Sequence, residues 1–254
     1  MGGIKVLISI EGLDGVGKST IINHLSMSLN MPIAEKPIKK LLYLNDEQSK
    51  KITEKIYGCY SSNIQAMYYL VGYLSVLEDS KKKDILMDRG FLSTYYFSYN
   101  EENSTLFDMF ALNYGLPDLT IILYATVEER IKRIKNRNIS DNDLKKKRLY
   151  VDGYDKYFEA LKKYNMPYLL INNEDLSVEE TASLVLTLLD LVIEKRENLD
   201  ILKDLFSIEN LFLNKQYSFQ KITELISNKI NSNVSTNKTK VLRKERDNNE
   251  TNNY

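Results

Sequence analysis

Apolar positions along the chain fall into two rhythms. Short β-branched or apolar runs recur at residues 4–10, 31–34, 85–87, 117–124 and 167–172, each bounded by turn formers or charges. Such runs predict buried strands. Between them apolar residues return every three or four positions, the spacing of a helix face. Ile21, Ile22, Leu25 and Leu29 mark a first helix over 19–29, with no internal glycine or proline. Ile64, Met67, Tyr68, Val71, Leu74 and Leu77 mark another over 61–78. Residues 38–60 are polar and lysine-rich and predict helix and loop, whereas 91–99 predict an aromatic helix or turn. Thr126 with Glu129, and Ser177 with Glu180, have the spacing of capping boxes and predict helix starts, the second running to about residue 194. Tyr150, Tyr154, Tyr157, Phe158 and Leu161 predict a helix over about 144–164.

Five strands alternating with helices define an α/β fold: a doubly wound, five-stranded parallel sheet with helices on both faces. That domain is expected over residues 1–195. Residues 196–230 keep a helical rhythm (Ile201, Leu202, Leu205, Phe206, Leu211, Phe212) and predict a C-terminal helical extension. Residues 231–254 are Asn, Thr, Lys and Arg with few apolar positions, so a disordered polar tail is expected.

Charge narrows the partners. Among 254 residues, 35 Lys and Arg balance 35 Asp and Glu, so no net field favours nucleic acid or an anionic membrane. The basic cluster at 238–246 reads as a solvated tail. The start of the chain lacks the charged region, apolar core and cleavage site of a signal peptide, and no apolar run of membrane-spanning length occurs. The single cysteine, Cys59, excludes an internal disulfide and a cysteine zinc cluster. A reducing, cytoplasmic setting is the expectation. Cys59 has no histidine close by in sequence and is expected to be buried. The only histidine, His24, is expected to be a packing or surface residue.

The chemistry is concentrated between the first strand and the first helix. Gly12-Leu13-Asp14-Gly15-Val16-Gly17-Lys18-Ser19-Thr20 fits the phosphate-loop pattern G-x-x-x-x-G-K-[ST]. Its glycines let backbone N–H groups turn inward onto a phosphate chain. Lys18 can reach the β- and γ-phosphates, Ser19 can hold Mg2+, and the following helix points its positive end at the same anions. Strand, glycine loop and helix occur in the order of P-loop NTPases.

Asp88-Arg89 ends the third strand. In an open α/β sheet that position borders the ligand. There a carboxylate can organise Mg2+ or accept a hydroxyl proton, and an arginine can clamp a phosphoryl group. Ser93 and Tyr96 follow near the expected cleft. Glu35, at the end of the second strand, can face a substrate sugar or base. Gln65, Tyr68 and Tyr69 are the polar-tipped residues of the 61–78 helix and candidates for base contact. The polar stretch 138–147 reads as a lid between two helices, and Arg137 at its edge is the arginine best placed to reach a phosphate. Arg130 and Arg133 lie deeper in that helix, and at least one of them is expected on the surface.

Together these stretches resemble thymidylate kinases. Glu11-Gly12-x-Asp14-Gly15-x-Gly17-Lys18-Ser19-Thr20 is similar to that family's phosphate-loop wording, Asp88-Arg89 with Ser93 to its D-R-aromatic-x-x-S stretch, and Pro117-Asp118-Leu119-Thr120 to its P-D-L-T strand entry. Glu128-Glu129-Arg130 is similar to the helix that follows. The resemblance spans roughly residues 4–193. It implies transfer of the ATP γ-phosphoryl group to dTMP, giving dTDP, with Mg2+ and in a homodimer. It implies that Lys18 and a lid arginine stabilise the transferring group, Arg89 holds the acceptor phosphate, and Asp88 organises magnesium and acceptor. Gly15 takes the place of a loop arginine, which matches the family's lid-arginine form. The wording departs at Gly90, where an aromatic residue or histidine is usual, at Lys36, which separates Glu35 from Pro37, and in having no arginine before Arg89. Two other readings use the same residues. In a deoxynucleoside kinase Asp88 would act as base on a 5′-hydroxyl, with Gln65 on the base and Glu35 on the sugar. A nucleotide-binding protein without turnover is the third.

Overall fold

The computed structural model describes residues 5–194. The expected helical extension at 196–230 and polar tail at 231–254 lie outside the described residues. All five expected strands form: β1 (Leu7–Glu11), β2 (Ile33–Ala34), β3 (Ile85–Asp88), β4 (Leu119–Tyr124) and β5 (Tyr168–Asn172). They make one parallel sheet in the order β2-β3-β1-β4-β5. From β1 the chain steps over β3 to reach β2, and every later crossover runs the opposite way along the sheet. With right-handed crossovers this puts helices on both faces. Register sets the site: Ile10 pairs with Asp88 and Glu11 with Ile122, so β1 ends between the ends of β3 and β4. Side chains of Asp84 and Asp118 accept the N–H groups of Val6 (2.8 Å) and Leu7 (2.7 Å) where β1 begins. This is a structural use for Asp118 of the Pro117-Asp118 entry.

The helices are α1 (Lys18–Leu29), α2 (Pro37–Leu41), α3 (Asp46–Cys59), α4 (Ser62–Ser80), α5 (Phe91–Ser98), α6 (Ser104–Tyr114), α7 (Val127–Arg137), α8 (Tyr154–Lys163) and α9 (Val178–Glu194). A core of Leu70, Tyr73, Phe91, Tyr95, Phe107 and Tyr157, with the inward residues of β1 and β3, is nearly free of solvent. At α9 both halves of the expected capping box form between Ser177 and Glu180 (2.8 and 3.1 Å). At α7 only half forms: Glu129 N–H donates to Thr126 Oγ1 at 3.4 Å, while the Glu129 carboxylate turns to Lys132 and Arg133. Of the described residues, 183–194 of α9 fall in a second unit.

Two expectations are corrected, and one element is new. The helix expected over 144–164 is short: 3-10 turns occupy Asn142–Lys145 and Lys147–Tyr150, and α8 starts only at Tyr154. Tyr150 and Val151 face solvent and Gly153 breaks the rhythm. A Cβ on Gly153 would stand 2.5 Å from the Tyr96 hydroxyl, so the glycine admits a close approach. Cys59 is exposed, not buried, because α3 buries none of its side chains. Helix α6, preceded by a reciprocal cap between Asn100 and Asn103, was not anticipated.

Candidate active site

The phosphate loop adopts the backbone its glycines predict. Gly12, Gly15 and Gly17 have φ of 141°, 88° and 97°. At Gly12 space is decisive as well, since a Cβ would meet the Leu123 carbonyl oxygen at 2.6 Å. Gly17 caps the N-terminus of α1, which begins at Lys18. Asp14, Gly15, Gly17, Lys18, Ser19 and Thr20 line a cavity of about 620 Å3, and Asp88, Arg89, Arg133, Arg137, Asp143, Asn173 and Glu174 complete its wall. Leu13 and Val16 are buried under the loop.

Lys18 is almost wholly buried, and its Nζ donates to the Leu13 carbonyl at 2.9 Å. Burial, reinforced by the Arg89 charge, pulls the ammonium down to about 7, against the pull of Asp14, Asp88 and Glu11. Arg89 reaches back from the end of β3 to the loop, with Nη2 at 2.6 Å from Asp14 Oδ1 and Nη1 at 3.3 Å from the Gly12 carbonyl oxygen. Burial raises the Asp88 carboxyl, and the opposing charges of Lys18 and Arg89 do not cancel it. Asp88 Oδ1 is buried with no hydrogen-bond partner. A buried carboxylate oxygen left open beside a phosphate loop suits a hard cation or a hydroxyl proton. Among the described residues no group of three or more His, Cys, Asp or Glu could hold a metal by itself. Mg2+ would therefore rest on Ser19, Asp88 and phosphate oxygens, the sparse protein ligation that suits that ion.

The other expected residues separate. Arg137 lines the phosphate cavity but is more than half exposed, and its guanidinium sits 2.5 Å from Asp141 and 3.4 Å from Asp143. Neither Arg130 nor Arg133 is a surface residue. Arg130 is fully buried and donates to the Val151 carbonyl at 3.0 Å. Arg133 donates to the carbonyls of Val16 (3.1 Å) and Asn173 (2.7 Å), tying the phosphate loop to the turn after β5. Ser93 lies below the cavity, where it donates to Glu11 Oε2 at 2.5 Å. Tyr96 lines a small recess with Asp14, Phe97 and Arg148. Gln65 turns its amide to the Tyr60 carbonyl (2.9 Å). Glu35 is exposed and faces Lys36 at 3.2 Å. Tyr68 and Tyr69 line a second cavity, of about 500 Å3, with Lys36, Pro37, Ile38 and Thr53.

Several residues of the site escaped sequence reasoning. Asn173 donates to the Val16 carbonyl at 2.9 Å, and its place just past β5 is the strand-end position where α/β sheets bind ligands. Lys146 and Arg148 approach Asp14 at 3.8 and 3.4 Å, and Arg148 stacks over Phe97 at 4.7 Å. Lys146 belongs to the polar stretch 138–147 and Arg148 directly follows it, which was their only signal.

A phosphate loop, an unpaired carboxylate and converging arginines on a parallel α/β sheet define a phosphotransferase that takes its phosphoryl group from ATP. The family model described as thymidylate kinase matches residues 10–185, and the chain belongs to that family. It is similar to a probable thymidylate kinase of Sulfolobus acidocaldarius, 30% identical over 194 residues, 72% of this chain and 98% of that one. Among solved structures it is similar to deoxyadenosine kinase from M. mycoides with products dCMP and a flexible dCDP bound, at TM-score 0.52 and 26% identity over 72% of this chain and 98% of that one. Thymidylate kinase from Candida albicans superposes at TM-score 0.56 over 77% of this chain and 94% of that one, and at 18% identity it speaks for the fold.

Proposed function

We propose that this chain transfers the γ-phosphoryl group of ATP to dTMP, giving dTDP, with Mg2+. The observation that carries the reading is the meeting of Lys18, Ser19, Asp88 and Arg89 on one cavity beside the loop amides. The amides of residues 12–19 and the N-terminus of α1 hold the donor phosphates. Lys18 places its charge against the β- and γ-oxygens, and once a phosphate meets it the ammonium is fully protonated. Ser19 and Asp88 would hold Mg2+, which would supply positive charge against the donor phosphates. Asp88 orients the acceptor oxygen and the ion. Arg89, already turned toward the loop, holds the acceptor phosphate. Arg137, the most exposed of the cavity arginines, leaves Asp141 to meet the transferring group. Catalysis here is positioning and charge stabilisation, as phosphoryl transfer requires.

The base of the acceptor is assigned to the cavity of Pro37, Tyr68 and Tyr69. Helix α4 carries no arginine, and Gly72 packs so tightly on α2 that a Cβ would lie 2.8 Å from Ile38 Cγ1. The cavity offers the base the rings of Tyr68 and Tyr69, with Lys36, Lys39 and Lys50 on the same wall. In solution the chain is expected to be a homodimer. Exposed Ile64, Met67 and Val71 on α4, with Met109 and Leu112 on neighbouring α6, offer a second copy an apolar face.

Incubation with ATP, Mg2+ and a panel of nucleosides and monophosphates tests the reading. Formation of dTDP is the expected result. A monophosphate made from a nucleoside assigns the chain to deoxynucleoside phosphorylation instead. ATP binding without acceptor-dependent turnover removes the catalytic reading. Sedimentation velocity checks the dimer.

A further inference from the structure

Glu11 is the last residue of β1 and directly precedes Gly12. Its side chain is fully buried. Oε1 accepts the Gly90 N–H at 2.7 Å and the Ser9 hydroxyl at 2.9 Å, and Oε2 accepts the Ser93 hydroxyl at 2.5 Å. Ser93 Oγ in turn lies 3.3 Å from the Tyr157 hydroxyl. One carboxylate thus joins the phosphate strand, the turn after β3, α5 and α8.

The turn it grips is strained. Arg89 has φ of 65°, the left-handed region that side chains other than glycine, asparagine and aspartate rarely adopt. That conformation swings the guanidinium back over the loop, to the Gly12 carbonyl and Asp14. Two hydrogen bonds bracket the strained residue: Arg89 N–H to the Ile10 carbonyl (3.2 Å) and Gly90 N–H to the Glu11 carboxylate. Without the carboxylate the buried Gly90 N–H loses its acceptor, and one of the two bonds opposing relaxation is gone. Gly90 itself fits this arrangement, since a Cβ there would stand 2.8 Å from Ser9 Oγ and 3.4 Å from Glu11 Oε1. The glycine that departs from the family wording leaves room for the Ser9–Glu11 pair.

We propose that Glu11 is a positioning residue: its buried carboxylate locks Arg89 in the left-handed conformation that aims the guanidinium at the acceptor phosphate. The inference rests on the reading of Arg89 as that phosphate's clamp. It differs from a role in proton transfer, because both oxygens of Glu11 are committed to protein donors.

The test is steady-state kinetics of Glu11→Ala and Glu11→Gln against each substrate, with a crystal structure of Glu11→Ala. The alanine variant is expected to lose about 10²-fold in kcat/KM for dTMP, the cost of a misplaced binding group, while KM for ATP stays within about twofold. Glutamine, whose amide oxygen can still accept from Gly90 and whose NH2 can donate to Ser93, is expected to recover about tenfold of that loss. If Glu11→Ala does not fold, Glu11→Asp carries the test: it keeps the charge, draws the acceptor away from Gly90, and is expected to show the same split between the two substrates. In the crystal Arg89 is expected to leave positive φ. Equal losses against ATP and dTMP overturn the proposal, as does an Arg89 that keeps its φ in Glu11→Ala. So does a glutamine variant as slow as alanine with both KM values native. If the native chain phosphorylates no dTMP, the functional reading falls, and the backbone of Arg89 still decides this one.

Discussion

The guanidinium of Arg89 lies 2.6 Å from the carboxylate of Asp14, joining the end of β3 to the phosphate loop. Lys146 and Arg148 converge on the same carboxylate, so three cations meet at one anion. Burial alone would raise the Asp14 carboxyl, but Arg89, then Lys18, Lys146 and Arg148, outweigh it and hold the group below its ordinary value. A carboxyl lowered in this way stabilises the fold at pH above its unfolded value and loses that contribution as pH falls through the folded one. Asp14→Asn is therefore expected to cost about 1.5–3 kcal/mol at pH 7, the range for hydrogen bonds to charged groups. The cost should shrink below about pH 3.9, where the unfolded carboxyl protonates. Urea unfolding of both proteins at pH 7, 5 and 3 measures it, and a gap of unchanged size at pH 3 contradicts the account.

Lys18 offers a second pH dependence, of opposite origin. Its ammonium is held down to about 7 by burial and by Arg89. A bound triphosphate supplies the missing partner, so the pKa in the complex lies above that of the free protein. Affinity for ATP is then greatest below pH 7 and falls as pH rises, by up to about tenfold per unit. Binding at pH 8.5 should take up close to one proton, read by calorimetry in two buffers of different ionisation enthalpy. Zero uptake at that pH would falsify the burial argument. Lys18→Ala should keep the native circular dichroism and lose turnover by about 10²–10³ or more, the scale of a lost electrostatic stabiliser.

Arg133 and Arg137 lie one helical turn apart and are expected to fail differently. Arg133 ties Val16, Asn173 and Glu174 together through four hydrogen bonds to three residues. Its removal takes a donor from the Asn173 and Glu174 carbonyls, while Val16 keeps the Asn173 amide, so Arg133→Ala should destabilise the fold by about 1–3 kcal/mol. Arg137 meets only exposed or part-exposed acids at the cavity edge. Arg137→Ala should leave stability within about 0.5 kcal/mol, as for surface pairs, and lower kcat. Thermal melts beside initial rates separate the two. A destabilised Arg137 variant with native kcat would remove the lid arginine from the mechanism.

Strand placement was legible because buried parallel strands are short apolar runs, and the loop because its glycines have no substitute. Both depend on local chemistry. What was missed depends on the partner. Arg133 and Arg130 look like surface arginines in a charged helix, and only the third dimension brings the Val16 and Val151 carbonyls to them. Gln65 and Ser93 have the right polar tips, but Tyr60 and Glu11 had already engaged them. The aromatic spacing that suggests a 144–164 helix continues across Asp152 and Gly153, where a Cβ would have to displace the Tyr96 hydroxyl. Glu11 stands in the loop wording with no visible role, since nothing in a linear sequence shows that Gly90 donates to it.

Asp88 completes the pattern with the reverse sign of Asp14. Burial raises its carboxyl above the ordinary value, and Oδ1 is left without a donor. A raised carboxyl makes the native state bind a proton that the unfolded chain has released, so its charge weakens the fold as pH climbs from about 3.9 upward. Asp88→Asn should therefore be at least as stable as the native protein at pH 7, and that advantage should disappear near pH 4. The same change should lower kcat by about 10²–10⁴, the range for a lost catalytic acid–base group, with smaller effects on either KM. Stability gained together with turnover lost is the signature of a charge kept for chemistry. A variant that melts early at pH 7 and still turns over near the native rate would make Asp88 a structural acid, and would move the acceptor's contact elsewhere in the cavity.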